Sequence, residues 1–298
     1  MRAMTLGTFV AVFAGLIGSP AVARVRVVAS INDLGSIAAA VGGEHVEVVS
    51  IARPNADPHR VEVLPSYMVR VSRAGVYLKV GLGLDQWAVP IIDGSHNGKL
   101  LVVDCSKGVS VLEKPTGKVD ASMGDVHPYG NPHYWLDPRN GAIVARTVAE
   151  ALASVDPAHA GVYAANAEEV AKHCEATFAR GNKSLAGLAN HDLLTYHRSW
   201  TYFATAFDLT VVATIEPIPG IPPTARHLND LIAVIRERKV RAVLEEPYFS
   251  EDAGKLLARQ TGIRILRIPA MCTDTSPDSY FVHFERLFEE LASSPGGT

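Results

Sequence analysis

DPAHAGVYAANAEEVAKHCEATFARGNKSLAGL, residues Asp156 to Leu188, decides how the chain is organised. After Pro157 it contains no proline, and it is rich in Ala, Glu, Lys and Arg, which cost little in a helix. We read most of it as one helix. Thirty residues at 1.5 Å each would span about 45 Å, which is long for one compact domain and suits a strut between two lobes.

On the N-terminal side, short β-rich runs alternate with helical patterns, which predicts parallel sheets covered by helices. VRVVAS (Val25 to Ser30), VEVVSI (Val46 to Ile51), GVYLKV (Gly75 to Val80) and KLLVVD (Lys99 to Asp104) read as strands. LGSIAAAV (Leu34 to Val41) reads as a helix closed by Gly42 and Gly43. Another helix is expected to begin with Asp137 as N-cap and Pro138 in the first position, where a missing N–H costs nothing. Ile143, Val144, Val148, Ala151 and Leu152 then recur at helical spacing.

On the C-terminal side the alternation repeats. DLLTY (Asp192 to Tyr196), LTVVATIE (Leu209 to Glu216), VRAVLE (Val240 to Glu245) and IRILRI (Ile263 to Ile268) read as strands, with Thr224 and Ser250 capping the helices before the last two. The expected fold is α/β. Two four-stranded parallel-sheet lobes, residues 24–155 and 189–298, are joined by the helix in 156–188.

The chain of 298 residues is 48% hydrophobic and 20% charged, an ordinary globular balance, and its formal charge of -3 argues against a nucleic-acid partner. MRAMTLGTFVAVFAGLIGSPAVA, residues 1–23, combines a charged start at Arg2, an apolar run from Leu6 to Ile17 and an A-x-A exit at Ala21 to Ala23. That is a secretory signal peptide, and the run is short of the roughly 20 residues that span a bilayer. No cysteine follows the exit, so a periplasmic location without a lipid anchor is expected. Cys105, Cys174 and Cys272 allow one disulfide with one free thiol, or none. The absence of C-x-x-C speaks against a thiolate zinc cluster.

Three histidines share a position type. His59 lies in RPNADPHR, in the loop leaving the second strand; His133 lies in GNPHYWLDP, before the capped helix; His197 ends DLLTY and precedes RSWTYF. Ligands of open α/β sheets bind beyond the carboxyl ends of strands, and neutral imidazole is a common metal ligand. Pro58 and Pro132 fix the backbone immediately before two of them. Each alone reads as a turn residue, whereas the three together read as a metal site. His45, His96, His159, His173, His227 and His283 are taken as structural or surface residues.

NADPHRVEVLPS, GLGLDQW, NPHYWLDP, TYHRSWTYFA, EPIPG and LEEPYFSEDAGKLLARQTG resemble, in order, the zinc- and manganese-binding solute receptors of bacterial ABC importers, the cluster A-I periplasmic proteins. The resemblance runs from about Val25 to the end. It implies two α/β lobes joined by one long helix, a metal in the cleft between them, no enzymatic activity, and delivery to a membrane permease. A metallochaperone is a further candidate partner, and a monomer is expected.

The resemblance makes His59, His133 and His197 three of four ligands. The family's fourth is a carboxylate in the loop after the last strand, here PAMCTDTSPDSY. Asp274 resembles it, an ungapped count puts Cys272 there instead, and Asp278 reads as the cap of the final helix. A histidine at the third position goes with zinc in this family and a glutamate with manganese, so His197 points to Zn²⁺, with Mn²⁺ the second choice. Many zinc members carry a His-rich loop before the second ligand. Here GKVDASMGDVHPYG offers only His127, read as a surface histidine, with an accessory ligand as the alternative. Glu216, Glu245 and Glu246 are candidates to accept from the ring N–H groups. The competing reading is a secreted zinc hydrolase, since three histidines and an open position make a catalytic zinc site. Neither H-E-x-x-H nor G-x-S-x-G supports it.

Overall fold

In the first half of the chain, β1 (Val25–Ala29), β2 (Val46–Ser50), β3 (Val76–Lys79) and β4 (Leu101–Asp104) form one parallel sheet. The computed structural model describes residues 24–117, 127–188 and 190–293, so the expected signal peptide lies outside the described residues. The strand order is β2-β1-β3-β4, with Val25 opposite Val46 and Val27 opposite Val76. β5 (Asp192–Thr195), β6 (Thr210–Thr214), β7 (Ala242–Glu245) and β8 (Arg264–Arg267) form the second sheet in the matching order β6-β5-β7-β8. Both halves thus reverse direction beside their first strand, which opens a crevice at the carboxyl ends of the strands.

The helices follow the apolar periodicity. α1 (Asn32–Gly42) buries Leu34, Ile37, Ala38 and Val41. α4 (Pro138–Val155) buries Val144, Val148 and Leu152, and begins as expected, with the Asp137 carboxylate accepting from the Arg139 backbone N–H. α5 (Ala160–Leu185) is the long helix, entered through a 3-10 turn at Pro157–His159. It leads directly from α4 into β5, and its 26 residues reach about 39 Å.

The remaining helices are α2 (Pro65–Val71), α3 (Ala88–Gly94), α6 (Thr201–Ala206), α7 (Ala225–Arg238), α8 (Asp252–Thr261) and α9 (Ser279–Ala292). Thr224 caps α7 by accepting from the His227 N–H. Ser250 caps the start of α8, its hydroxyl accepting from the Asp252 backbone N–H at 3.3 Å, although Glu251 holds the nominal N-cap position. One expected cap is corrected. Asp278 occupies the N-cap position of α9 but makes no side-chain capping bond. Cys105, Cys174 and Cys272 are all unpaired and buried.

One apolar core joins the two halves. It contains Val27 and Val76 of the first sheet, Leu244 and Leu266 of the second, and Tyr280, Phe284 and Phe288 of α9. Gly181 lets α5 pass close to this cluster: a Cβ there would lie 2.4 Å from the Phe207 ring and 2.5 Å from Phe288. Among the described residues, no helix is long and apolar enough to cross a membrane.

Candidate metal centre

His59 and His133 are held by the same local device. The Asp57 carboxylate accepts from the His59 backbone N–H at 2.9 Å and from ring Nδ1 at 2.7 Å. The Asn131 side-chain oxygen accepts from the His133 backbone N–H at 3.0 Å and from ring Nδ1 at 2.9 Å. Each is a turn closed by an Asx side chain, with proline between the Asx and the histidine restraining the backbone. The Asn131 amide group donates to Glu113 at 2.8 Å and to the Arg198 carbonyl at 2.9 Å, which fixes its oxygen as the acceptor.

His197 sits just beyond β5, and its Nδ1 donates to Glu216 Oε2 at 2.8 Å. With every Nδ1 proton directed to an oxygen, each ring keeps Nε2 as its donor atom toward a metal. The Nε2 atoms of His59 and His133 are buried and meet no protein hydrogen-bond partner. Orphaned buried nitrogens cost free energy, and coordinating a cation removes that cost.

The rings converge. Ring centroids of His59, His133 and His197 are separated by 5.1, 5.1 and 5.5 Å. Two imidazoles bound through Nε2 at the tetrahedral angle would place their centroids about 5.2 Å apart, given a Zn–N bond of about 2.0–2.1 Å. Among the described residues, these three form the group of His, Cys, Asp and Glu whose ligand atoms all lie within 4.8 Å of one another.

Burial, joined by the neighbouring imidazoles His59, His197 and His127, holds His133 well below the usual histidine range, so it is neutral at pH 7. Burial alone would raise the Asp57 carboxyl, but the hydrogen bond and charge of His59 outweigh it and lower it. A cleft of 420 Å³ lined by Asp57, His59, Arg60, Tyr196, His197 and Glu216, among others, gives solvent access to one side of the cluster.

The structure does not bring Asp274 to the histidines. It is exposed, and its carboxylate accepts from the Ser276 backbone N–H at 2.8 Å and from the Ser276 hydroxyl. The reason is local: the short loop after β8 is tied to α1, where the Asp33 carboxylate accepts from the Cys272 N–H and Asn32 donates to the Cys272 carbonyl. Cys272 is fully buried in that tie, and burial pushes its thiol well up, so it is not a thiolate ligand either. His127 is also corrected. It is half-buried, and its ring stacks on His59 with centroids 5.1 Å apart.

Of the three glutamates, only Glu216 reaches a ring N–H. Glu245 pairs with Arg267. Glu246 accepts from Trp200 Nε1 at 3.1 Å, and burial pushes its carboxyl up to about 8. Asp57 and Asn131 were missed from sequence, although the repeated Asx-Pro-His was the available signal.

Two predictions follow from these carboxylates. Glu216→Ala releases the His197 ring and lowers metal affinity about 10–100-fold, the range for residues that orient ligands; an unchanged chelator competition would rule out that role. Glu246 keeps its proton in the folded chain up to about 8, whereas its ordinary value is 4.5. Its contribution is therefore fully present below about 4.5 and is lost as pH rises through about 8. Glu246→Gln should flatten that decline in urea unfolding between pH 6 and 9, and an unaltered slope would contradict it.

The paired sheets, the long connecting helix and the histidines at the strand exits define a two-lobed metal-binding receptor of the kind that serves ABC importers. Residues 27–294 match the family described as ZnuA, zinc-uptake complex component A, periplasmic, and the chain belongs to that family. It is 28% identical to the iron-binding protein YfeA of Yersinia pestis over 298 residues, covering 93% of this chain and 90% of that one. It is 24% identical to the high-affinity zinc uptake system protein ZnuA of Haemophilus ducreyi over 266 residues, 84% of this chain and 86% of the other. A crystal structure of ZnuA superposes with a TM-score of 0.79 at 25% identity, covering 91% of this chain and 99% of that one. The family consists of binding receptors that work with a permease, not of enzymes, which removes the hydrolase reading.

Proposed function

We propose that this receptor binds Zn²⁺ in the periplasm, through His59, His133 and His197, and delivers it as a monomer to its permease. The observation that supports it most is the set of three imidazoles with each Nδ1 anchored on an oxygen. Such a site offers neutral nitrogen donors, which favour zinc over manganese in the affinity order of divalent ions. Relatives named for iron and for zinc share the scaffold, so the donor set has to carry the choice of metal.

The proposed cycle is capture and release without chemistry. The continuous core between the halves and the Trp135 Nε1 bond to the Ala270 carbonyl at 2.7 Å limit large lobe rotations. Metal arrival would then be reported by small movements of the ligand loops, which the permease reads. The test is elemental analysis of protein purified without added metal, followed by zinc–manganese competition. Retained zinc that excess manganese does not displace is the expected result. Preferential retention of manganese or iron would overturn it.

A further inference from the structure

A fourth imidazole stands beside the cluster. His127 belongs to the segment between β4 and α4, and its ring centroid lies 5.1 Å from His59 and 6.3 Å from His133. The first distance equals the spacing of His59 from its two established neighbours. The second is about 1 Å longer than a tetrahedral partner would show. His127 Nε2 is buried, as are those of His59 and His133. The Asn131–His133 turn starts four residues further on, so one short stretch of backbone carries both rings.

We propose that His127 is the fourth metal ligand, which makes the closed site all-histidine. This rests on the receptor reading above. To serve as a ligand the His127 ring would have to leave its stacked position on His59 and close on His133 by about 1 Å, and on His197 as well. The alternative fourth ligand is placed elsewhere: Asp274 is exposed, with its carboxylate engaged by Ser276.

The exchange of a carboxylate for an imidazole has a chemical consequence. Four neutral rings leave the charge of the cation uncompensated in its immediate coordination, and Asp57 and Glu216, behind His59 and His197, supply the negative charge at one remove. An oxygen-preferring ion such as Mn²⁺ gains least from this donor set, whereas Zn²⁺ and its nitrogen-preferring neighbours gain most. His127 is therefore a specificity-determining residue as well as a ligand.

The experiment is X-ray absorption spectroscopy of zinc-loaded wild type, His127→Gln and Asp274→Asn, with zinc and manganese affinities measured on the same samples. Wild type should show four imidazoles, and His127→Gln three imidazoles and one oxygen. The variant should bind zinc at least about 10-fold more weakly while manganese changes less, since a first-sphere loss should exceed the lower bound for residues behind the ligands. Asp274→Asn should match wild type. Three imidazoles in zinc-loaded wild type, or affinity lost in Asp274→Asn and retained in His127→Gln, would overturn the assignment and leave the receptor reading intact. Wild type that binds no zinc would overturn both.

Discussion

His133→Ala should reduce zinc affinity by at least about 100-fold and remove most of the stabilisation that zinc confers. A ligand present at 100 times its dissociation constant stabilises a folded protein by about 2.7 kcal/mol. Weakened 100-fold, the same zinc concentration sits at the dissociation constant and contributes only about 0.4 kcal/mol. The metal-free protein should respond differently. His133 is 1% exposed, and its Nε2 is buried without a protein partner. Truncation opens a small cavity, which costs stability, but removes an unsatisfied polar atom, which returns some of it. The melting temperature without metal should thus change little, while the zinc-dependent increase falls to a small fraction of its wild-type size. Calorimetry with and without zinc separates the two effects. A zinc-dependent increase as large in His133→Ala as in wild type would exclude this histidine from coordination.

The strands were legible because buried parallel strands read as β-branched runs, and each expected strand is found within two residues of its predicted ends. The long helix was equally legible, since Ala160 to Leu185 holds no proline and only two glycines, Gly161 and Gly181, among many good helix formers. α2 and α3 were not anticipated, and their composition explains why. Seven residues each, PSYMVRV and AVPIIDG, they hold β-branched residues, proline or glycine and have little intrinsic helix preference. Packing decides for them: Tyr67, Val71, Ala88 and Ile91 are buried against Val28 and Tyr77 of the first sheet.

The site divides along the same line. His59, His133 and His197 could be picked out because each follows a strand or a proline-stiffened turn. Their convergence depends on the matching order of two sheets far apart in sequence. The placement of Asp274 is set by bonds of the neighbouring Cys272 to Asn32 and Asp33, more than two hundred residues away in sequence. No local pattern announces such a tie. His127 shows the reverse: an unremarkable loop histidine in sequence becomes a neighbour of His59 only after folding.

Trp135→Ala should cause the largest loss of stability of any single substitution near the site. The ring is fully buried in the core shared by the two halves, and truncating a buried tryptophan costs about 3–5 kcal/mol. Its Nε1 donates to the Ala270 carbonyl at 2.7 Å, and its own carbonyl accepts from the Tyr280 hydroxyl at 2.8 Å. One residue thereby fastens the loop before α4 to the loop after β8 and to α9. At about 2–4 °C per kcal/mol for a chain of this size, the melting temperature should fall by roughly 6–20 °C. Trp135→Phe isolates the hydrogen bond: it keeps most of the apolar contact and leaves the Ala270 carbonyl unpaired, at a cost of about 1–3 kcal/mol. Because the Trp135 ring lies 5.2 Å from that of His133, the alanine variant should also loosen the ligand loop and weaken zinc binding, whereas the phenylalanine variant should retain most of the affinity. Denaturant unfolding and zinc titration of the two variants decide the matter. If Trp135→Ala unfolds within about 1 kcal/mol of wild type, the halves are held together by the remaining core and not by this contact.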